Sequence, residues 1–117
     1  MKCILALLLI PSFCFASDDF STTDKSLELG YIALTAIDWR QTQDIVRHEG
    51  YYETNPIMGK HPTNARINTY FTGMIAGHVL VDYLLPSQYR GYWELMGISV
   101  ELTGVLGNRK IGLSGKF

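Results

Sequence analysis

The run from Ile67 to Leu85 constrains this chain most, because 19 consecutive residues pass without a lysine or arginine. A stretch of that length matches the roughly 20 residues needed to cross a hydrocarbon core, and no polar face can be drawn on it as a helix. Only His78 and Asp82 are ionisable within it. Pro86 closes it, since a proline has no N–H to continue a helical ladder. The spacing therefore predicts one long helix over 65–85 with a bilayer as its surroundings.

The flanking sequence supplies two further helices. One is expected over 27–47, apolar from Leu29 to Ile37 and strongly polar from Asp38 to Asp44, with Thr23 or Asp24 as its cap. The other is expected over 92–106, after a short loop at 87–91, with Gly107-Asn108 as a plausible C-terminal stop. Between the first two lies a loop at 48–66 broken by Gly50, Asn55-Pro56, Gly59 and Pro62, with Thr63 or Asn64 capping the helix that follows.

The N-terminus reads as an export signal: Lys2 ahead of an unbroken apolar Ile4–Ile10, a break at Pro11, and the small residues Cys14 and Ala16 where a signal peptidase inspects. An uncleaved anchor is the alternative, and its apolar run is short for a span. Cys14 fits a lipid-attachment motif poorly because Phe13 stands where a small residue is expected. Both cysteines fall in this segment, so a cleaved chain has neither disulfide nor thiolate chemistry. The organisation that follows is a signal at 1–16, a polar linker at 17–26, an all-α membrane bundle of three helices at 27–106 and a basic tail at 107–117.

Orientation follows from the basic residues. Arg47, Lys60, Arg66, Arg109, Lys110 and Lys116 fall on one side, and only Lys25 and Arg90 on the other. The positive-inside rule then places the protein in a bacterial inner membrane, N-terminus outside after cleavage and C-terminus inside. The alternative is a soluble periplasmic bundle. A net charge of −1 and a pI near 6.3 leave no basic field for nucleic acid. Lipid, a second copy of the chain or another membrane protein are the partners this reading implies.

Ionisable residues within apolar helices are costly, about 2.5–3.5 kcal/mol each at a bilayer centre, so they are partnered or functional. The candidate cluster is Asp38, Gln41, His78, Asp82 and Glu101. Asp38, Gln41 and Thr42 share a helix face, His78 and Asp82 are four apart, and Glu94 and Glu101 two turns apart. Carboxylates with an imidazole suit a divalent metal or a proton relay, with His78, Asp82, Asp38 and Glu101 as candidate metal ligands. The plainer reading makes these residues interhelical hydrogen bonds. No nucleophile-and-base motif occurs, and no cofactor beyond a divalent metal is expected. In the loop, Glu53-x-Asn55-Pro56 reads first as a turn and second as an entrance to the cluster. Gly73 and Gly77, four apart, read as a helix-packing face.

The order Asp38-x-x-Gln41-Thr42, then Glu53-x-Asn55-Pro56-Ile57-Met58-Gly59, then a helix with His78 and Asp82, resembles a group of small, uncharacterised bacterial and phage-borne membrane proteins over about residues 27–106. The resemblance implies a multi-helix membrane protein and no activity. Three roles are consistent with it: helix packing with itself or a partner, metal or proton binding, and a phage-type envelope protein that alters permeability or excludes a competing phage.

Overall fold

A computed structural model describes residues 19–113. The chain forms three α-helices and, among the described residues, no strand: α1 (Thr22–Arg47), α2 (Asn64–Leu84) and α3 (Ser87–Lys110). The expected signal segment lies outside the described residues.

Each helix starts for an identifiable reason. Ser21 caps α1 through a reciprocal capping box, its hydroxyl accepting from the Asp24 N–H while the Asp24 carboxylate accepts from the Ser21 N–H. The helix therefore begins within the segment expected to be a polar linker. Thr63 caps α2 by accepting from the Arg66 N–H. Pro86 does two jobs: it stops α2 and stands at the N-cap of α3, so 87–91 is helix rather than loop. At the far end α3 runs through Gly107-Asn108 to Lys110. It stops at Gly112, whose φ of +98° suits a residue without a Cβ. Leu113 then folds back, its N–H donating to the Asn108 carbonyl, and is buried.

α1 packs along both other helices, whereas α2 and α3 touch each other sparingly. A small apolar core of Met58, Ile67 and Phe71 forms at the loop end, with Trp39 and Tyr70 packed on it. Along most of the bundle the distribution is inverted. Asp24, Thr35, Gln41, Thr42, His78, Asp82, Arg90, Glu94 and Glu101 are buried. Leu80, Tyr83, Tyr92, Leu95, Met96, Val100 and Leu106 are exposed.

The length and composition of the helices correct the membrane expectation. Among the described residues no helix is long and apolar enough to cross a membrane. In α2 the missing lysines and arginines misled, because Asn68, Thr69, Tyr70 and Thr72 dilute the apolar content as effectively as His78 and Asp82 do. The assignment to a bacterial inner membrane, with N-terminus outside and C-terminus inside, falls with it. So does its charge argument, since Arg90, counted as an external loop charge, is fully buried within α3.

Candidate functional site

Seven positions of α1, at alternating spacings of four and three, form one stripe: Asp24, Glu28, Tyr31, Thr35, Asp38, Thr42 and Ile45. On α3 the same alternation links Arg90, Glu94, Gly97, Glu101, Gly104 and Asn108. Such spacing keeps side chains on the seam facing a partner helix. Here the seam carries carboxylates, hydroxyls and glycines where a bundle ordinarily places leucines, so acids from α1 and α3 meet His78 and Asp82 of α2.

They meet at two levels. At the first, the His78 imidazole lies flat between the Tyr31 ring (3.6 Å between centroids, 14° between planes) and the Trp93 indole (4.9 Å, 24°). The Trp93 indole N–H donates to the His78 carbonyl at 3.2 Å, fixing α3 to α2 at this height. Gly97 permits the approach, since a Cβ there would stand 2.6 Å from His78 Nε2. Held this way, Nδ1 faces the Glu28 carboxylate at 3.2 and 3.3 Å. Glu94 completes a trio with Glu28 and His78, one from each helix, whose ligating atoms all lie within 4.8 Å of one another. Asp82, one turn beyond His78, lies within hydrogen-bond reach of Glu94.

The electrostatics of this level are unbalanced. Glu94 and Asp82 are fully buried, and neither carboxylate is matched to a hydrogen-bond donor among the described residues. Burial pushes the Glu94 carboxyl up to about 9, helped by the neighbouring Glu28 and Asp82 carboxyls. Burial likewise raises Asp82, against the opposing pull of Glu94 and Arg90. Among the described residues Arg90 is the buried cation, donating Nε–H to the Asp82 carbonyl at 3.1 Å and lying 3.9 Å from Asp24. Its guanidinium also stacks over Phe20 at 4.2 Å. One guanidinium against Asp24, Glu28, Asp82 and Glu94 leaves negative charge that must be neutralised by protons or by a bound cation.

The second level lies nearer the loop. Asn108 donates to Asp38 Oδ1 at 2.7 Å and to Gln41 Oε1 at 3.2 Å, while Gln41 Nε2 donates to the Val105 carbonyl at 3.3 Å. Burial raises Asp38 to about 6, with Glu53 adding repulsion. Burial raises Glu101 to about 7, with Asp38 adding to it. Glu101 Oε2 has no donor among the described residues.

The expected single cluster is therefore two. His78 and Asp82 gather with Glu28 and Glu94, whereas Asp38, Gln41 and Glu101 gather with Asn108. Asp38 and Glu101 lie outside the trio of Glu28, His78 and Glu94. Glu28 and Arg90 were missed. The signal for them was the four-three alternation of polar residues, which inspection of apolar runs alone overlooks.

The loop motif serves structure. Asn55 Oδ1 accepts from the Ile57 N–H at 2.9 Å, its amide donates to the Tyr70 hydroxyl at 2.8 Å, and its carbonyl accepts from Met58 and Gly59. Glu53 accepts from the Asn55 N–H at 2.9 Å. This Asx-type turn around Pro56 aims Met58 into the apolar core. A Cβ at Gly73 or Gly77 would meet nothing within 4 Å among the described residues, so no other helix approaches closely at either glycine. Gly97 and Gly104 are where helices approach, Gly104 against Asp38. The chain matches no family model, no curated protein and no solved structure.

Proposed function

We propose that this protein binds a divalent transition-metal ion between its three helices, with Glu28, His78 and Glu94 as ligands and Asp82 beside them. One observation carries the reading: three ligating groups, one from each helix, converge within 4.8 Å around buried carboxylate oxygens that lack donors among the described residues. Two ligands each about 2.1 Å from a shared ion stand at most about 4.2 Å apart, so the 3.2 Å between His78 Nδ1 and Glu28 already has the spacing of adjacent ligands. Imidazole with carboxylates suits zinc, manganese or ferrous iron better than calcium or magnesium. The flanking Tyr31 and Trp93 rings hold the imidazole ready, as outer groups do in established metal sites.

An ion there replaces shared protons as the neutraliser of the cluster and ties α2 to α1 and α3, whose direct α2–α3 contact is sparse. Binding expels the proton that burial holds on Glu94. The test is elemental analysis and zinc titration of the full chain alongside His78→Ala, Glu94→Gln and, as a control away from the trio, Asp38→Asn. The reading requires about one ion per chain in wild type and in Asp38→Asn, with affinity lost in the other two. Equal affinity in all four overturns it.

Self-association is a second reading, supported by the outer face of α3. Tyr92, Leu95, Leu102 and Leu106 are 76%, 55%, 42% and 49% exposed, a strip without a charge on a surface where monomers rarely leave so much apolar area uncovered. A second copy packing there would give a dimer by analytical ultracentrifugation that Leu95→Glu dissociates; a wild-type monomer at every concentration rules it out.

A further inference from the structure

The four-three alternation that builds the site occurs a second time on α2 and α3. On α2 it links Met74, Gly77, Val81 and Leu84, and on α3 it links Tyr89, Trp93, Met96, Val100 and Thr103. Such a seam ordinarily faces a partner helix. Here the two helices touch sparingly and leave a groove of about 260 Å³, with these seams as its walls. From α1 only Tyr31 reaches its lining, and a Cβ added at Gly77 would meet nothing within 4 Å among the described residues. Two seams therefore stand side by side without a helix between them.

The chemistry of this face selects what covers it. The charged side chains within the two stretches, Asp82, Arg90, Glu94 and Glu101, are buried in the site, so the face carries no charge. The Thr103 hydroxyl donates to the Ser99 carbonyl at 2.8 Å, so burying it strands no donor. Val81, Leu84, Tyr89, Met96 and Val100 are 36–62% exposed. At roughly 200 Å² for a large side chain in the open, they offer on the order of 500 Å². Two such faces together bury on the order of 1,000 Å², the size that a specific interface must clear. The seams also differ in bulk: α2 is thin at Gly77 and Val81, whereas α3 is broad at Trp93 and Met96. A matching partner is uncharged, with bulk for α2 and a hollow for α3. A second copy turned by a twofold axis supplies both at once.

We propose that two copies of this chain pair through the α2–α3 groove, with α3 of each copy seated against α2 of the other. The four helices then enclose one apolar core, as in a four-helix bundle. This face is distinct from the outer strip of α3 that carries Leu95, and the pairing needs no metal ion.

The test is analytical ultracentrifugation of the full chain in chelator, for wild type, Val100→Glu and Leu95→Glu. Wild type is expected to dimerise. Val100→Glu should weaken the dimer by at least about a hundredfold, because each seam would then bury a charge, and Leu95→Glu should leave it intact. In wild type, isotope-filtered nuclear Overhauser spectra of a mixed labelled and unlabelled sample should show the Met96 methyl of one copy against the Val81 methyls of the other. That measurement needs no variant to fold. A wild-type monomer at every concentration overturns the proposal. So do a dimer that survives Val100→Glu, one that Leu95→Glu dissociates, and intermolecular contacts confined to Leu95, Leu102 and Leu106; the last two outcomes leave self-association through the outer strip standing.

Discussion

Gly97→Ala measures the closeness of the site's packing more directly than any other single change. An alanine in place of glycine inside a helix ordinarily stabilises by about 1 kcal/mol. At Gly97 the new methyl would stand 2.6 Å from His78 Nε2 and 3.0–3.1 Å from Tyr31 ring carbons. Neither neighbour can swing aside, because the imidazole is held between Tyr31 and Trp93. Relieving such overpacking costs about 1–3 kcal/mol, so the net effect is a loss of up to about 2 kcal/mol. Gly73→Ala is the internal reference: its methyl enters open space and should deliver the full helical gain. The gap between the two variants isolates the packing cost, and at about 4–8 °C per kcal/mol a mid-range value separates their Tm values by about 10 °C. Thermal unfolding by circular dichroism in chelator reads it. If the two variants melt together, the close approach of α3 to His78 is wrong.

Other outcomes follow from the same geometry. A carboxyl whose folded-state pKa is raised binds its proton more tightly when folded. The stability linked to Glu101 and Asp38 is therefore complete below about pH 4 and lost as pH rises to about 7 and about 6 respectively. For Asp38 this amounts to a loss on the order of 3 kcal/mol; in urea titrations of metal-free protein, the difference between wild type and Glu101→Gln should grow from pH 4 to 7 and then level, and a flat difference contradicts the burial of Glu101. Asn55→Ala removes the side-chain bonds to Ile57 and Tyr70 and should cost about 1–3 kcal/mol by chemical denaturation. Ser21→Ala deletes the α1 cap and should cost about 1 kcal/mol, with faster amide exchange confined to the first turn. Zinc titrations in buffers of different ionisation enthalpy should report proton release on binding, as Glu94 gives up its proton.

The helices were legible in the sequence because their stops are local. Pro86, Gly50 and Thr63 act through their own backbone or side chain, and the three-helix, all-α reading needed nothing more. The ends were read less well where punctuation is ambiguous. Gly107 lies inside α3 because helical hydrogen bonds on either side outweigh its preference for a stop, and Pro86 opens the next helix as well as closing the last. The setting of the bundle was misread because absence of lysine and arginine is not the same as apolar content. Site membership was half legible. His78 and Asp82 stood out against an apolar background, whereas Glu28 sat in a mixed segment and Arg90 beside a turn. What joins them is a tertiary register, the matching of two four-three seams, and a single helix viewed alone does not reveal which level of one seam faces which level of the other.

X-ray absorption on the zinc-loaded chain tests the central claim most directly. The account predicts a shell of nitrogen and oxygen at about 2.0–2.2 Å with the outer-shell scattering of one imidazole, and loss of that imidazole signature in His78→Ala. A zinc shell with no imidazole, or one unchanged by His78→Ala, would contradict it.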